Sequence, residues 1–399
     1  MANMAAGDHL KKRGGRMSVI FYGLLTAYLL ILAARIILAN RYYGQKQCPE
    51  AGFREELYTV VQPILSGDPG LKSDLLANVE HSRKLRFLWL IDRADQVAIE
   101  IAAEICQKPE YGERIEMLYY DEVPPGVNPK IYKIEQAVNK VQTPYMIVLD
   151  DDSVIDMEWM NELNLYENSA PEFLITGIPH NYGTTNVWSK LLAAFVNGNA
   201  LITYFTMAEL GDNHSINGMF YILPVAVAKK YQAFTVILEY LCDDLALAEY
   251  LTTCGVKIIQ SRIGVNVKTT IHSAAHYYQQ LRRWMLFSSV YMKRHFSPAA
   301  FGLIILPGMI PMMLLLMAAG MNRWALPALL GMLAGKSFLL YRLRQKIIGK
   351  PESLSMIGYE MLSDLLLAPI FLLTLIGRPV IIWRNKKIQV TDGKINYLN

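Results

Sequence analysis

The stretch Met146-Ile147-Val148-Leu149-Asp150-Asp151-Asp152-Ser153 runs four apolar residues directly into three carboxylates. The apolar half predicts a buried strand, with the acids at its carboxyl end. Several like charges held at one point cost free energy unless a cation sits among them. Hard divalent cations take oxygen ligands, and Mg2+ commonly keeps phosphate oxygens among them. The stretch therefore points to a metal and a phosphorylated substrate at the end of a strand. The plainer alternative is a helix amino terminus, where Asp and Ser cap free amides and suit the dipole. It accounts for one or two acids better than for three.

Outward from this point, strand-like and helix-like runs alternate over residues 57–292. Residues 58–65 read as a strand, followed by a turn at Gly67-Asp68-Pro69-Gly70. A helix is expected over 71–81, a strand over 86–91 and a helix over 97–107. The next strand and helix are 115–120 and 130–141, and the strand into the acids comes fourth. Such alternation implies an α/β fold with a parallel sheet and crossover helices. Ligands of such sheets bind at the carboxyl ends of the strands.

The remainder of the chain leans toward membrane. Of 399 residues, 53% are hydrophobic and 19% charged. A net charge of +4 is too small to point to nucleic acid as a partner. Basic residues gather beside apolar segments instead: Lys11, Lys12, Arg13 and Arg16 before one, Arg342, Arg344, Lys346 and Lys350 after another. That placement fits anionic headgroups or control of topology. Residues 18–34 form an uncharged run, extended past Arg35 by Ile36-Ile37-Leu38-Ala39. A span needs roughly 20 such residues, and no clear cleavage site marks a signal peptide. Residues 299–321 are apolar with a break at Pro307-Gly308-Met309-Ile310-Pro311, which suggests a re-entrant turn. Residues 324–341 are apolar apart from Lys336, and 359–383 hold Asp364 and Arg378. The expected plan is an anchor over 1–45, a catalytic α/β domain with interfacial helices over 46–297, and two to three membrane helices with a tail over 298–399. Cys48, Cys106, Cys242 and Cys254 show no CxxC spacing and read as free thiols in a reducing compartment.

Three further features lie along the α/β stretch. Glu239-Tyr240-Leu241-Cys242-Asp243-Asp244 opens an apolar-periodic helix. Asp243 is a good cap there, or the pair supplies a general base. In Gln280-Leu281-Arg282-Arg283-Trp284, Arg283 offers a fork of donors to phosphate. Trp284 offers a flat wall to a sugar, or an anchor at the membrane interface. Asn128-Pro129-Lys130 sets a lysine and a helix amino terminus where phosphate can bind.

Together these features resemble the processive and lipid-directed inverting glycosyltransferases of the GT-A fold, with their DXD, (E/D)D and QxxRW motifs. The matching residues are Asp150 and Asp152, then Asp243-Asp244, then Gln280, Arg283 and Trp284. Within that group the chain resembles the ceramide glucosyltransferases and their bacterial relatives. Gln62-Pro63-Ile64-Leu65-Ser66-Gly67-Asp68-Pro69 resembles their first strand and its Asp-Pro turn. Pro125-Gly126-Val127-Asn128-Pro129-Lys130 resembles their glycine-hydrophobic-Asn-Pro-Lys motif. Asp152-Ser153, the acceptor-side Asn217-Gly218-Met219 and Trp383-Arg384 also find counterparts. The resemblance covers residues 59–390. Two departures stand out: the last aspartate of the uridine-binding acidic motif falls on Gln96, and Asp243 stands where Glu is usual.

The resemblance implies a Rossmann-like, mostly parallel sheet with membrane-spanning helices at both ends of the chain. It implies transfer of a hexose from UDP-glucose or UDP-galactose, glucose foremost, to a lipid hydroxyl. Ceramide is the foremost acceptor and diacylglycerol the alternative. Pro63, Ile64, Asp92 and Asp95 would line the uridine pocket, with Asp151, Lys130, Gln280, Arg283 and Trp284 also on the donor. Asp152, with Asp150, would hold Mg2+ or Mn2+, and whether Asp150 or Asp151 partners Asp152 stays open. Asp244 would be the base and Asp243 its support. An integral protein of a bacterial inner membrane is expected, with its catalytic domain toward the cytosol. The basic amino-terminal segment also favours the cytosolic side, which one intervening span cannot reconcile with a cytosolic domain.

Residues 187–207 are apolar inside the α/β stretch and read either as a core helix or as one touching the bilayer beside the site. Residues 285–294 suit an interfacial helix. His272 and His276 sit at helical spacing without a third ligand nearby, so a structural or acceptor-side place is favoured over a metal site. A polysaccharide synthase with the same motifs is the rival enzyme, and a transporter or scaffold the rival of another class.

Overall fold

The computed structural model describes residues 2–45, 52–166, 172–377, 380–383, 386–391 and 394–397. A long helix α1 (Ala2–Gly44) leads into β1 (Tyr58–Ile64), α2 (Leu71–His81), β2 (Arg86–Asp92), α3 (Gln96–Cys106) and the short α4 (Pro109–Gly112). Next come β3 (Ile115–Tyr120), α5 (Pro129–Ala137), β4 (Tyr145–Leu149), β5 (Ser153–Ile155) and β6 (Phe173–Asn181). They are followed by α6 (Val187–Glu209), β7 (Phe220–Pro224), α7 (Val225–Lys230), α8 (Asp243–Thr253), β8 (Lys257–Val267) and α9 (Ala274–Arg294). The chain closes with α10 (Pro298–Ala300), a π-helical turn (Phe301–Ile305), α11 (Leu306–Ala318), α12 (Ala325–Ile347), α13 (Ser355–Ile376) and the strands β9 (Val380–Trp383), β10 (Lys386–Thr391) and β11 (Lys394–Tyr397).

The eight-stranded sheet has the order β3-β2-β1-β4-β7-β6-β8-β5. β1 pairs in parallel with β2 and β4, β2 with β3, and β6 with β8, while β7 and β5 pair antiparallel with their neighbours. This is the mostly parallel α/β sheet expected of a GT-A glycosyltransferase. The chain steps outward from β1 through β2 to β3, then returns to the other flank of β1 as β4. The switch point therefore lies between the carboxyl ends of β1 and β4, where open α/β sheets bind ligands. β4 reads as an unbroken apolar run because both its faces are covered: Ile147 and Leu149 join one core layer, Met146 and Val148 the other.

Helix α5 ends at Ala137 rather than near 141, because its last turn tightens into a 3-10 turn over Val138–Lys140. The segment 359–383 is not one helix. α13 stops at Ile376, and Val380–Trp383 pairs with β10 in a separate antiparallel sheet. Pro307 stands at the start of α11, and the helix continues through Pro311 without a break there. Among the described residues five segments are long and apolar enough to cross a membrane: Gly15–Gly44, Val187–Glu209, Pro298–Ala318, Ala325–Ile347 and Ser355–Ile376. Two of the cations inside them, Lys336 and Arg344, are paired with acids. Lys336 Nζ donates to both oxygens of Asp364 at 2.9 and 2.8 Å, and Arg344 meets Glu352 and Glu360. Helix α6 packs on β6 and β8, as a core helix would, and also meets α1, α12 and α13. Cys106, Cys242 and Cys254 are free thiols. Cys48, Arg378 and Arg384 lie outside the described residues.

Candidate active site

The acids after β4 are held from several directions. Asp150 N donates to Met219 O at 3.0 Å, and Gln62 Nε2 of β1 donates to Asp150 O at 3.1 Å. Asp151 Oδ2 accepts from Leu65 N at 2.7 Å, a bond that crosses the switch point itself. Asp152 Oδ2 accepts from Thr269 Oγ1 at 3.3 Å, in the loop after β8. Burial, reinforced by the neighbouring Asp151, Asp150 and Asp68, pushes the Asp152 carboxyl up to about 8. A cation placed here would relieve that repulsion, and an all-carboxylate donor set suits Mg2+ or Mn2+. Among the described residues no three His, Cys, Asp or Glu side chains gather into a metal-holding group. A metal held by Asp152 and Asp150 would thus draw its remaining ligands from diphosphate oxygens and water.

Opposite the acids stand two cations. The Asn128 side chain caps α5, its Oδ1 accepting from Lys130 N at 3.0 Å, and Pro129 fits the first turn. This fixes Lys130, whose Nζ reaches Asp150 Oδ1 at 2.6 Å, Gly218 O at 2.8 Å and Asp243 Oδ2 at 3.5 Å. Burial works against the Lys130 charge, but Asp150 and Asp243 outweigh it and raise its pKa well above the usual value. Arg283 is half-buried on α9. Desolvation lowers its pKa, while Asp150, Asp152, Asp243 and Asp244 act the other way. Among the described residues Arg283 makes no direct ion pair, so it faces the acids across a gap.

Asp243 and Asp244 open α8. Burial pushes Asp243 up to about 6 against the pull of Lys130, with Asp244 and Asp150 adding to the rise. Asp244 Oδ1 accepts from Leu245 N at 2.8 Å and from Cys242 Sγ at 3.2 Å. Its other oxygen lies against Gly218: a Cβ there would stand 3.3 Å from Oδ2 and 3.1 Å from the Asp244 Cβ. Asn217-Gly218-Met219 thus joins both halves of the site. Its carbonyls receive Lys130 and Asp150, and its glycine makes room for Asp244.

The other expected residues divide. Pro63 and Ile64 are buried at the carboxyl end of β1. Asp92 Oδ1 meets the fully buried Lys133 at 3.1 Å. Asp95 is occupied by backbone, accepting from Ser66 N at 2.7 Å and Ala98 N at 3.1 Å. Burial opposes these bonds, yet they hold its pKa below the usual carboxylate value. Trp284 stacks on Phe195 of α6, with ring centroids 5.9 Å apart. Gln280 lies one turn ahead of Arg283. It is not part of the cavity wall formed by Arg283 and Trp284. His272 and His276 stack on each other at 5.8 Å.

A cavity of about 570 Å3 opens beside Asp150, Lys130 and the start of α8. One end holds Lys130, Asp150, Asp243, Asp244 and Arg283. The other is walled by Phe195 and Met207 of α6, Phe287 of α9, Ile304 and Ile305 of the π turn, and Leu367 and Phe371 of α13. Sequence reasoning had not placed the π turn or α13 here. Their only signal was apolar composition.

A mostly parallel α/β sheet with acids and cations at its switch point, joined to membrane-length helices, is the arrangement that the motifs led one to expect of a glycosyltransferase. The chain belongs to glycosyl transferase family 21, whose family model matches residues 19–396. Comparison with curated proteins gives no match. Among solved structures it is similar to the mannosyltransferase PcManGT from Pyrobaculum calidifontis, solved in complex with GDP-Man and Mn2+. That likeness has 11% identity and a TM-score of 0.44, and covers 88% of this chain and 99% of the other. It is also similar to S. aureus TarS residues 1–349 in complex with UDP-GlcNAc, with 12% identity, a TM-score of 0.36, and coverage of 86% and 99%.

Proposed function

We propose that the protein is an inverting hexosyltransferase that moves a hexose from a UDP-sugar to a membrane-lipid hydroxyl, with UDP-glucose and ceramide the foremost pair. The observation that carries this reading is the two-ended cavity, charged at the strand ends and apolar among membrane-length helices. The uridine belongs at the ends of β1 and β2, near Pro63, Ile64, Asp92 and Asp95. Asp152 and Asp150 would hold a divalent cation, which would supply positive charge to the diphosphate. Lys130 and Arg283 offset the charge growing on departing UDP. Asp244 takes the proton of the acceptor hydroxyl as its oxygen forms a bond to the anomeric carbon. The bond to UDP breaks on the opposite face, so an α-linked donor gives a β-linked lipid. The purified protein in lipid nanodiscs, incubated with a panel of UDP-sugars and with ceramide or diacylglycerol, should yield a hexosyl-lipid by mass spectrometry. Absence of any glycolipid product would refute the reading.

Two further outcomes follow from the geometry. Gly218→Ala places a methyl group against Asp244 and should lower kcat by about tenfold, since small displacements of reacting groups are costly. Its melting temperature should barely move, and an unchanged kcat would place the base elsewhere. The second outcome concerns pH. Asp152 is raised from 3.8 to about 8 in the fold, so in metal-free protein it contributes stability at low pH that is lost as pH rises through that window. Mn2+ should therefore raise the melting temperature more at pH 8 than at pH 6. Asp152→Asn should flatten both trends, and a pH-independent metal effect would count against Asp152 as a ligand.

A further inference from the structure

The apolar run of α1 is broken by one charged residue, Arg35, which is only 6% exposed. Its guanidinium Nη2 donates to Thr203 Oγ1 of α6 at 2.8 Å. Among the described residues this is its one side-chain hydrogen bond, and its Nε is buried with no partner. A guanidinium carries five donors, so most of its capacity is unused. The nearest acid on the membrane helices that acts on it, Asp364, has both oxygens taken by Lys336. A buried cation on a membrane-length helix is costly, and such residues face ligand pathways or partners rather than lipid. Arg35 and Thr203 both lie on the wall of the cavity described above, as does Tyr204. Tyr204 is within electrostatic reach of Asp244, so this polar patch and the proposed base share one chamber.

We propose that Arg35, with Thr203 and Tyr204, forms a polar anchor inside the apolar half of the cavity. It binds a carbonyl oxygen of the acceptor lipid and so positions that lipid's hydroxyl at Asp244. The inference rests on the lipid-acceptor reading above and narrows it to acceptors that carry an amide or ester carbonyl near the primary hydroxyl. A plain long-chain alcohol offers the hydroxyl and the chain without that carbonyl. A tie between α1 and α6 alone would use Thr203, but would leave the orphaned Nε unexplained.

The test compares kcat/KM for ceramide, diacylglycerol and octadecanol in the full-length protein in nanodiscs, with UDP affinity measured alongside. Wild type should prefer the carbonyl lipids. Arg35→Met should reduce that preference about tenfold or more, as expected for a lost hydrogen bond from a charged donor. The loss should fall mainly on KM, leaving UDP affinity and the octadecanol rate in place. Thr203→Val and Arg35→Lys, milder changes, should reduce the preference in the same sense. If all three variants lower every acceptor equally, or change none, the anchor is overturned and Arg35 is a helix tie. If wild type binds UDP but transfers to no lipid, the lipid-acceptor reading itself fails, and the anchor with it.

Discussion

Asp244→Asn is expected to lower kcat by about 10²–10⁴, the usual worth of a general base, with little change in melting temperature. The substitution is isosteric, and asparagine keeps the oxygen that accepts from Leu245 N and Cys242 Sγ. The start of α8 should therefore survive while the capacity to take a proton is lost. Asp243 offers the control. Its carboxylate lies 3.5 Å from Lys130, a cation that also holds Asp150. Asp243→Asn should accordingly disturb Lys130 and the donor side, raising KM for the UDP-sugar more than it lowers kcat. Initial rates at saturating donor and acceptor, with thermal melts of each variant, separate the two. A kcat for Asp244→Asn within tenfold of wild type would pass the base role to its neighbour.

How much of this was legible beforehand depends on whether a residue's place is set by its near neighbours. The Asn128-Pro129-Lys130 signal announced a helix start because cap, proline and lysine act within one turn, and α5 begins at Pro129. The turn at residues 67–70 and the helix Leu71–His81 were likewise local. The strand into the acids was readable because burial on both faces leaves only apolar residues in β4. The antiparallel strands β7 and β5 were not foreseen, since nothing local says which distant strand they join. Trp284 shows the same limit on one side chain. Its motif placed it near the donor, and the ring it stacks on, Phe195, comes from α6, far from it in sequence. Asp95 read as a nucleotide ligand, and its further part in capping α3 and holding Ser66 went unread. The apolar composition of α6 could not choose between core and membrane, because the helix packs on the sheet and on the membrane-length helices alike.

Arg283→Gln is expected to lower kcat by about 10²–10³, as when one charge-stabilising donor is removed from a transition state, without loss of melting temperature. The two halves of this expectation have separate causes. Among the described residues Arg283 has no direct ion pair, so no partner is stranded by its removal, and desolvation weighs against its charge in the donor-free site. The charge becomes useful only when a diphosphate enters the gap between α9 and the acids. Lys130→Met should behave differently, although both residues are cations facing the same ligand. Its loss strands Asp150 and Asp243 together and removes a donor to Gly218 O. Hydrogen bonds to charged groups contribute about 1.5–3 kcal/mol each, so this variant should melt lower as well as turn over more slowly. Thermal melts with and without UDP sharpen the contrast: UDP should stabilise wild type more than Arg283→Gln, even though the two start level. If Arg283→Gln melts well below wild type in the absence of nucleotide, the arginine is part of the fold's own charge balance. Its place as a phosphate-binding group would then have to be given up.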